Sequence, residues 1–545
     1  MKQFFKILTS FLLAFTILSA QHSPRPKLVV GIVIDQMRYD YLKRFEPLFG
    51  EDGFKRLERN GCNFTFAHFN YVPTYTAPGH ASIYTGTTPY YHGIIANDWY
   101  DKTTKKMISS VESKSYSVVG SNAKKAASPN KLMATTITDQ LKIVTNNKAR
   151  VFSVSLKDRA AVLSGGHLAD AAYWYDDSSG NFVSSSYYMK SLPQWVIDFN
   201  NKKLAEKFVA EKWELSFAKE KYLTNNDKSK KLNVFNEENT NFPHSFENVP
   251  SENKYQLLEI TPFGNELLLK FVQELIQNEK IGQNKFTDFL AVSFSSTDYI
   301  GHKYGPNSLE VEDTYVKLDR QIAELLNTFD KYVGKGNYLL FLTADHGVAE
   351  SIDFLEEEKL PTGFLNTRSF IDSLSFFVGN TFGNKNLIEN YSNNQIFLNH
   401  ELINRMKLNK NEVIHNIADF VRENFPEVIR VFTSDVLEKE IPSRNKNNFV
   451  LNGFNPVRSG DIILELRPDY FSGDKNKFGN AATHGTSYNY DTHVPLIFFG
   501  WNVPSMTVSK QVFVVDIAPT ISNLLGIDEP DACYGIPLIE LTYTK

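Results

Sequence analysis

Six side chains of the types that hold divalent metals fall in short polar stretches behind apolar runs: Asp35, Asp298, His302, Asp345, His346 and His484. The segment Thr343-Ala344-Asp345-His346-Gly347 sets a carboxylate beside an imidazole directly after such a run. Asp298 and His302 are four positions apart, a spacing that aims both at one point if the chain there is helical. His484 stands in Ala482-Thr483-His484-Gly485-Thr486, shortly before the apolar run 494–499. Carboxylate and imidazole donors suit zinc, and the set is large enough for two ions with positions left open for substrate; manganese or iron can use similar donors. Asp35 alone means little, because an aspartate closing a strand is often a cap or turn former. The joint placement carries the reading.

The elements that must position these groups share one pattern. Run 28–34 ends at Asp35, 151–154 leads to Lys157 and Arg159, 289–294 leads to Asp298 and His302, and 338–342 leads to Asp345 and His346. Near-continuous apolar runs are expected of strands buried on both faces of a parallel sheet. Between them lie helical patterns, most clearly over 308–332, where Leu309, Tyr315, Val316, Ile322, Leu325, Leu326 and Phe329 recur at helical spacing before Gly334. The alternation predicts an α/β fold with a doubly wound, mostly parallel central sheet and helices on both faces. Such sheets collect ligands at the carboxyl ends of their strands, where the candidate residues fall. Two stretches break the alternation, near 160–280 and near 350–480. Both read as insertions capping the active-site edge of one catalytic domain, 21–545.

The chain has 545 residues, a net charge of -4 and a sequence pI near 6.3, which excludes a nucleic-acid partner held by bulk positive charge. Residues 1–20 read as a signal peptide: Lys2 and Lys6, an apolar stretch over 7–17, then Leu18-Ser19-Ala20. That stretch is short for a membrane span, so the expectation is a periplasmic or secreted protein without a membrane anchor. Cys62 and Cys533 are the only cysteines, enough for one disulfide, though nothing in the sequence brings them together.

The sequence resembles the alkaline phosphatase superfamily, and within it the PafA-type monomeric alkaline phosphatases. The resemblance is carried by Ile34-Asp35-Gln36-Met37-Arg38, Thr76-Ala77-Pro78-Gly79-His80, His92-Gly93-Ile94 with Asn97, Thr297-Asp298 with His302, Ala344-Asp345-His346-Gly347, His484-Gly485-Thr486, and the tail Asp516-Ile517-Ala518-Pro519-Thr520. These occur in the family's order over nearly the whole chain. The resemblance implies two Zn2+ ions, one held by Asp35, Asp345 and His346 and bound to the Thr76 oxygen, the other held by Asp298, His302 and His484. It implies Thr76 as a nucleophile that accepts a phosphoryl group; Thr74 is a neighbouring competitor, and His80 is expected to be structural. Lys157, Arg159 and Asn97 would bind the non-bridging oxygens of a phosphate monoester, whose extra charge calls for cationic donors. The expectation is therefore a monomeric, broad-specificity phosphatase of small phosphate monoesters. A phosphodiesterase or nucleotide pyrophosphatase of the same superfamily is the alternative, and a metal-stabilised binding protein with a dead site is the contrasting class. No third metal is expected, and Tyr75-Thr76-Ala77-Pro78-Gly79 lacks a sulfatase's cysteine or serine context. Asp176-Asp177-Ser178-Ser179-Gly180-Asn181 reads as a turn, lacking the distal acid of a calcium loop. Tyr173, Trp174, Tyr175, Tyr187 and Tyr188 could meet an organic leaving group or simply pack.

Overall fold

A computed structural model describes residues 25–224, 241–444, 448–473 and 482–542; the expected signal peptide lies outside the described residues. The apolar runs become neighbouring strands: β1 (Leu28–Ile34), β2 (Cys62–His68), β3 (Val151–Ser155), β4 (Ala171–Asp176), β5 (Asn181–Ser185), β6 (Asp288–Phe294), β7 (Tyr338–Thr343) and β8 (His493–Gly500). They belong to an eleven-stranded sheet in which these eight run in the order β2-β8-β7-β1-β6-β3-β4-β5, with three short strands at its margins. Every residue of β1, β6 and β7 is buried, which is why these strands read as unbroken hydrophobic runs. β1 pairs in parallel with β6 and β7, and β6 and β3 continue the parallel array to β4.

Helices form two groups about the sheet. α1 (Thr76–Thr85) packs with α2 (Asp158–Gly165), while α3 (Pro262–Glu279), α4 (Ser296–Tyr304) and α5 (Leu309–Phe329) pack together. α5 follows the predicted helix closely: the Ser308 side chain accepts a hydrogen bond from the Val311 N–H, a helix start signal, and its apolar stripe joins the main core.

Two features add detail to the mostly parallel sheet expected from the sequence. β8 pairs antiparallel with both β7 and β2, so its amino end lies at the carboxyl edge of the parallel strands. The stretch 160–280 is not wholly an insertion, because it supplies β4, β5 and α3 to the central layer. The described strands of the stretch 350–480 lie outside the central sheet. That stretch holds a separate antiparallel sheet, Ile388–Ser392, Gln395–Leu398, Ile462–Leu466 and Val428–Thr433, under the helices Thr367–Phe382 and Lys410–Asn424. That sheet has its own apolar core, including Leu374, Ile414, Ile417 and Leu464. It meets the main body where Tyr100 and Phe397 rings lie 5.3 Å apart and Asn393 Nδ2 donates to the Asp98 carbonyl. The Asp176 segment is a hairpin turn closed by Asp176 Oδ1 accepting from Ser178, as read. Tyr173, Trp174 and Tyr175 are buried side chains of β4 and resolve to packing. Cys62 and Cys533 are both free thiols, so the possible disulfide is not formed.

Candidate metal centre and active site

Asp35, Lys157, Asp298 and Asp345 lie one to four residues beyond the carboxyl ends of the parallel strands β1, β3, β6 and β7. Asp298 and His302 lie on α4, one turn apart, as their spacing required. His484 arrives from the loop ahead of β8, and the antiparallel run of that strand brings this loop to the same edge. Two groups result, Asp35 with Asp345 and His346, and Asp298 with His302 and His484; within each, one donor atom per residue lies within 4.8 Å of the others.

The chemistry of these donors fits divalent metals. Each of the three imidazoles engages a backbone carbonyl through Nδ1: His302 with Ala482 at 2.7 Å, His346 with Gly347 at 2.9 Å, and His484 with Thr74 at 2.7 Å. That arrangement fixes the tautomer and presents the Nε2 lone pair to the carboxylates, the usual support of a metal-binding histidine. Buried Asp35 Oδ1 and Asp345 Oδ2 have no hydrogen-bond partner. His346 Nε2 lies 3.4 Å from Asp35 Oδ1, and His302 Nε2 lies 3.2 Å from Asp298 Oδ1.

Charge points the same way. Three buried carboxylates face the ammonium of Lys157, which sits 2.7 Å from Asp35 Oδ2 and also pairs with Asp298 Oδ2. Burial and then the Asp35 charge raise Asp345 well above the usual carboxylate range, and burial with Asp298 raises Asp35. For Asp298 burial opposes ionisation, but Lys157 and His302 outweigh it and hold the pKa low. Burial drives His346 down to about 3 and, with its neighbouring imidazoles, lowers His484, so both stand neutral and able to donate a lone pair. His302 alone is raised, because Asp298 overcomes its burial.

Thr76 opens α1 at this cluster. Its Oγ1 is 3.5 Å from His346 Nε2, whereas the Thr74 hydroxyl is spent on the Thr486 carbonyl, so geometry separates the two threonines. Asn97 caps the helix from outside, its Oδ1 accepting from the Ala77 N–H at 2.8 Å. Gly79 is required by close approach, since a Cβ there would stand 2.3 Å from the Asp345 carbonyl. His80 bridges the Thr76 carbonyl and Ser293 Oγ, both at 2.9 Å. Arg159 is half-buried near the cluster and its Nε has no hydrogen-bond partner. The structure thus brings together all ten residues singled out in the sequence, with Lys157 lodged between carboxylates.

The sequence profile of the type I phosphodiesterase / nucleotide pyrophosphatase family matches residues 29–488. The chain belongs to that family. This family lies within the alkaline phosphatase superfamily. Among its relatives, the alkaline phosphatase PafA of Elizabethkingia meningoseptica is 40% identical over 523 residues, covering 95% of each chain. A protein of Myroides odoratus named as a calcium-transporting ATPase is 39% identical over 532 residues, 97% of this chain and 96% of its own. The crystal structure of wild-type PafA superposes with a TM-score of 0.89, covering 96% of this chain and 100% of that one, at 39% identity. Similarity of this depth and extent makes the chain a phosphatase enzyme of the family. None of the described helices is long and apolar enough to cross a membrane.

Three groups of this family member escaped the sequence reading. Gln36, in a left-handed backbone conformation (φ 63°), bonds both metal groups: its N–H meets Asp345 Oδ1 at 3.1 Å and its Nε2 meets Asp298 Oδ1 at 2.6 Å. Asp491 Oδ2 gathers the N–H groups of Gly485 and Thr486 and the Thr486 hydroxyl, shaping the loop that carries His484. Glu259 is buried beside Tyr299 and the Lys157–Arg159 pair, and burial raises its pKa to about 8. Only Gln36 had a local signal, its place beside Asp35 in the first motif.

Proposed function

We propose that this phosphatase is a two-zinc enzyme that hydrolyses phosphate monoesters of broad identity through a phosphothreonine at Thr76. Asp35, Asp345 and His346 would hold one ion, and Asp298, His302 and His484 the other. Bound there, the ions would favour the alkoxide of a hydroxyl and offset the charge of an in-line displacement. Thr76 Oγ releases its proton to solvent and forms the bond to phosphorus as the ester P–O bond breaks, and the departing alcoholate takes a proton from solvent. Water then attacks phosphorus, the Thr76–phosphorus bond breaks, and inorganic phosphate leaves. The amino end of α1 places backbone dipoles toward the anion. Lys157, Arg159 and the Asn97 amide nitrogen bind the non-bridging oxygens; Asn97 is oriented for this because its oxygen is committed to Ala77.

The observation that carries the reading is the Thr76 hydroxyl, 3.5 Å from His346 Nε2, beside two carboxylate–imidazole groups and the cations Lys157 and Arg159. Those cations favour a monoester, which carries about two charges, over a diester with one. Membership of the type I phosphodiesterase / nucleotide pyrophosphatase family favours the second reading, a phosphodiesterase or nucleotide pyrophosphatase. Rates for p-nitrophenyl phosphate and bis-p-nitrophenyl phosphate on the zinc-loaded enzyme decide between them. The expected outcome is a strong monoester preference that collapses in Lys157→Ala combined with Arg159→Ala. A preference that survives the double change overturns the assignment of these two residues. A monomeric, exported protein is part of the same proposal.

A further inference from the structure

Beside the site lies a cavity of about 330 Å³, within the roughly 300–1,000 Å³ typical of small-molecule pockets. One wall is Tyr75, next to Thr76, with the loop that carries His484; the other is the separate sheet, through Tyr391, Ser392 and Glu465 among others. Because His484 belongs both to a candidate metal group and to the cavity lining, the cavity adjoins the reacting centre.

The lining chemistry is specific in what it offers. Rings from Tyr75, Tyr391, Tyr470 and Phe471 alternate with neutral amides and hydroxyls. Among the described lining residues Glu465 is the one carboxylate, and it is already engaged by Arg430 Nε at 2.6 Å and Ser487 Oγ at 2.5 Å. Among the described residues no lysine or arginine lines the space. Ser392 Oγ is buried without a hydrogen-bond partner, and Tyr391 Oη has only long bonds, 3.2 Å each, to Asn394 Oδ1 and Ser472 Oγ. An unsatisfied buried hydroxyl in a roomy polar cavity is a group prepared for a ligand. The aromatic faces and neutral donors of the described lining match an uncharged ring bearing hydroxyls, and they penalise a leaving group that brings its own charge against them.

We infer that this cavity receives the leaving-group side of the substrate and selects uncharged, hydroxyl-rich alcohols of the sugar type. The inference rests on the monoesterase reading and narrows its substrate class. Its test compares kcat/KM for glucose 6-phosphate, methyl phosphate and phosphoserine in the zinc-loaded full chain, before and after Ser392→Phe, which fills the cavity. The expected result is a wild-type preference of about tenfold or more for glucose 6-phosphate over phosphoserine. Ser392→Phe should cut the glucose 6-phosphate value about tenfold and leave methyl phosphate and inhibition by inorganic phosphate unchanged. Should that variant not fold, Tyr391→Phe, which removes a single hydroxyl, is read by the same ratio with a smaller expected loss. Equal use of glucose 6-phosphate and phosphoserine, or a parallel fall for glucose 6-phosphate and methyl phosphate, overturns the cavity assignment. Absence of turnover of all three monoesters in the wild type instead overturns the monoesterase reading beneath it.

Discussion

Lys157→Ala should destabilise the metal-stripped protein far more than the zinc-loaded one. The Lys157 ammonium is about 1% exposed, stands 2.7 Å from Asp35 Oδ2 and also pairs with Asp298. Removing it leaves Asp35, Asp298 and Asp345 buried together without that ammonium between them. Breaking a buried pair in this way costs about 3–5 kcal/mol, because the remaining charge is uncompensated. Two divalent ions supply more positive charge than the lysine, so the loaded variant should lose only a small part of that. Zinc at a thousandfold excess over its dissociation constant adds about 4 kcal/mol to any protein that binds it only when folded. The variant should therefore show a larger zinc-induced rise in Tm than the wild type, chiefly because its metal-free Tm is lower. Thermal unfolding by circular dichroism, at one scan rate, after chelation and after zinc is restored, reads both states. Equal Tm values for the two metal-free proteins would refute the charge balance drawn for this site.

Gln36→Ala should weaken zinc binding about 10–100-fold, the usual effect of losing a residue that orients metal ligands, as read by chelator competition. Gly301→Ala should do the same from the opposite side, since its Cβ would stand 1.8 Å from Gln36 Oε1; unchanged zinc affinity in both variants would dismiss the bridge. Glu259 has a folded pKa of about 8, raised by burial from an ordinary 4.5, so its contribution to stability is intact below pH 4.5 and lost as pH rises through 8. Glu259→Gln should match the wild type at pH 4 and exceed it at pH 9, by at most about 5 kcal/mol; urea unfolding at the two pH values checks this, and a constant difference would contradict it.

The legible part of this fold was the part whose signals are local. β1, β6 and β7 lie inside the sheet with both faces covered, so hydrophobicity alone marked them, and the polar residue after each strand marked the site edge. Asp298 and His302 were readable as a pair because one helical turn separates them. The direction of β8 was not readable, since an antiparallel strand buried along its middle gives the same apolar run as a parallel one. β4 and β5 were lost among the mixed aromatic and polar residues of the 160–280 stretch, although most of their residues are buried. The contacts that assemble the site span long sequence distances: Gln36 meets Asp298 and Asp345 across 262 and 309 positions, and Lys157 meets Asp298 across 141. The family resemblance marked Lys157 as a phosphate donor but could not reveal its seat between two carboxylates. Asp491 and Glu259 carried no local mark, because what they do depends on which loop and which cations the fold brings beside them.

Acid quenching of the zinc-loaded enzyme during turnover of a phosphate monoester, followed by peptide mass spectrometry, tests the central claim most directly. The account predicts a phosphoryl group on the peptide containing Thr76, localised to that residue, and loss of both label and turnover in Thr76→Ala. Undiminished monoester hydrolysis by Thr76→Ala would contradict it.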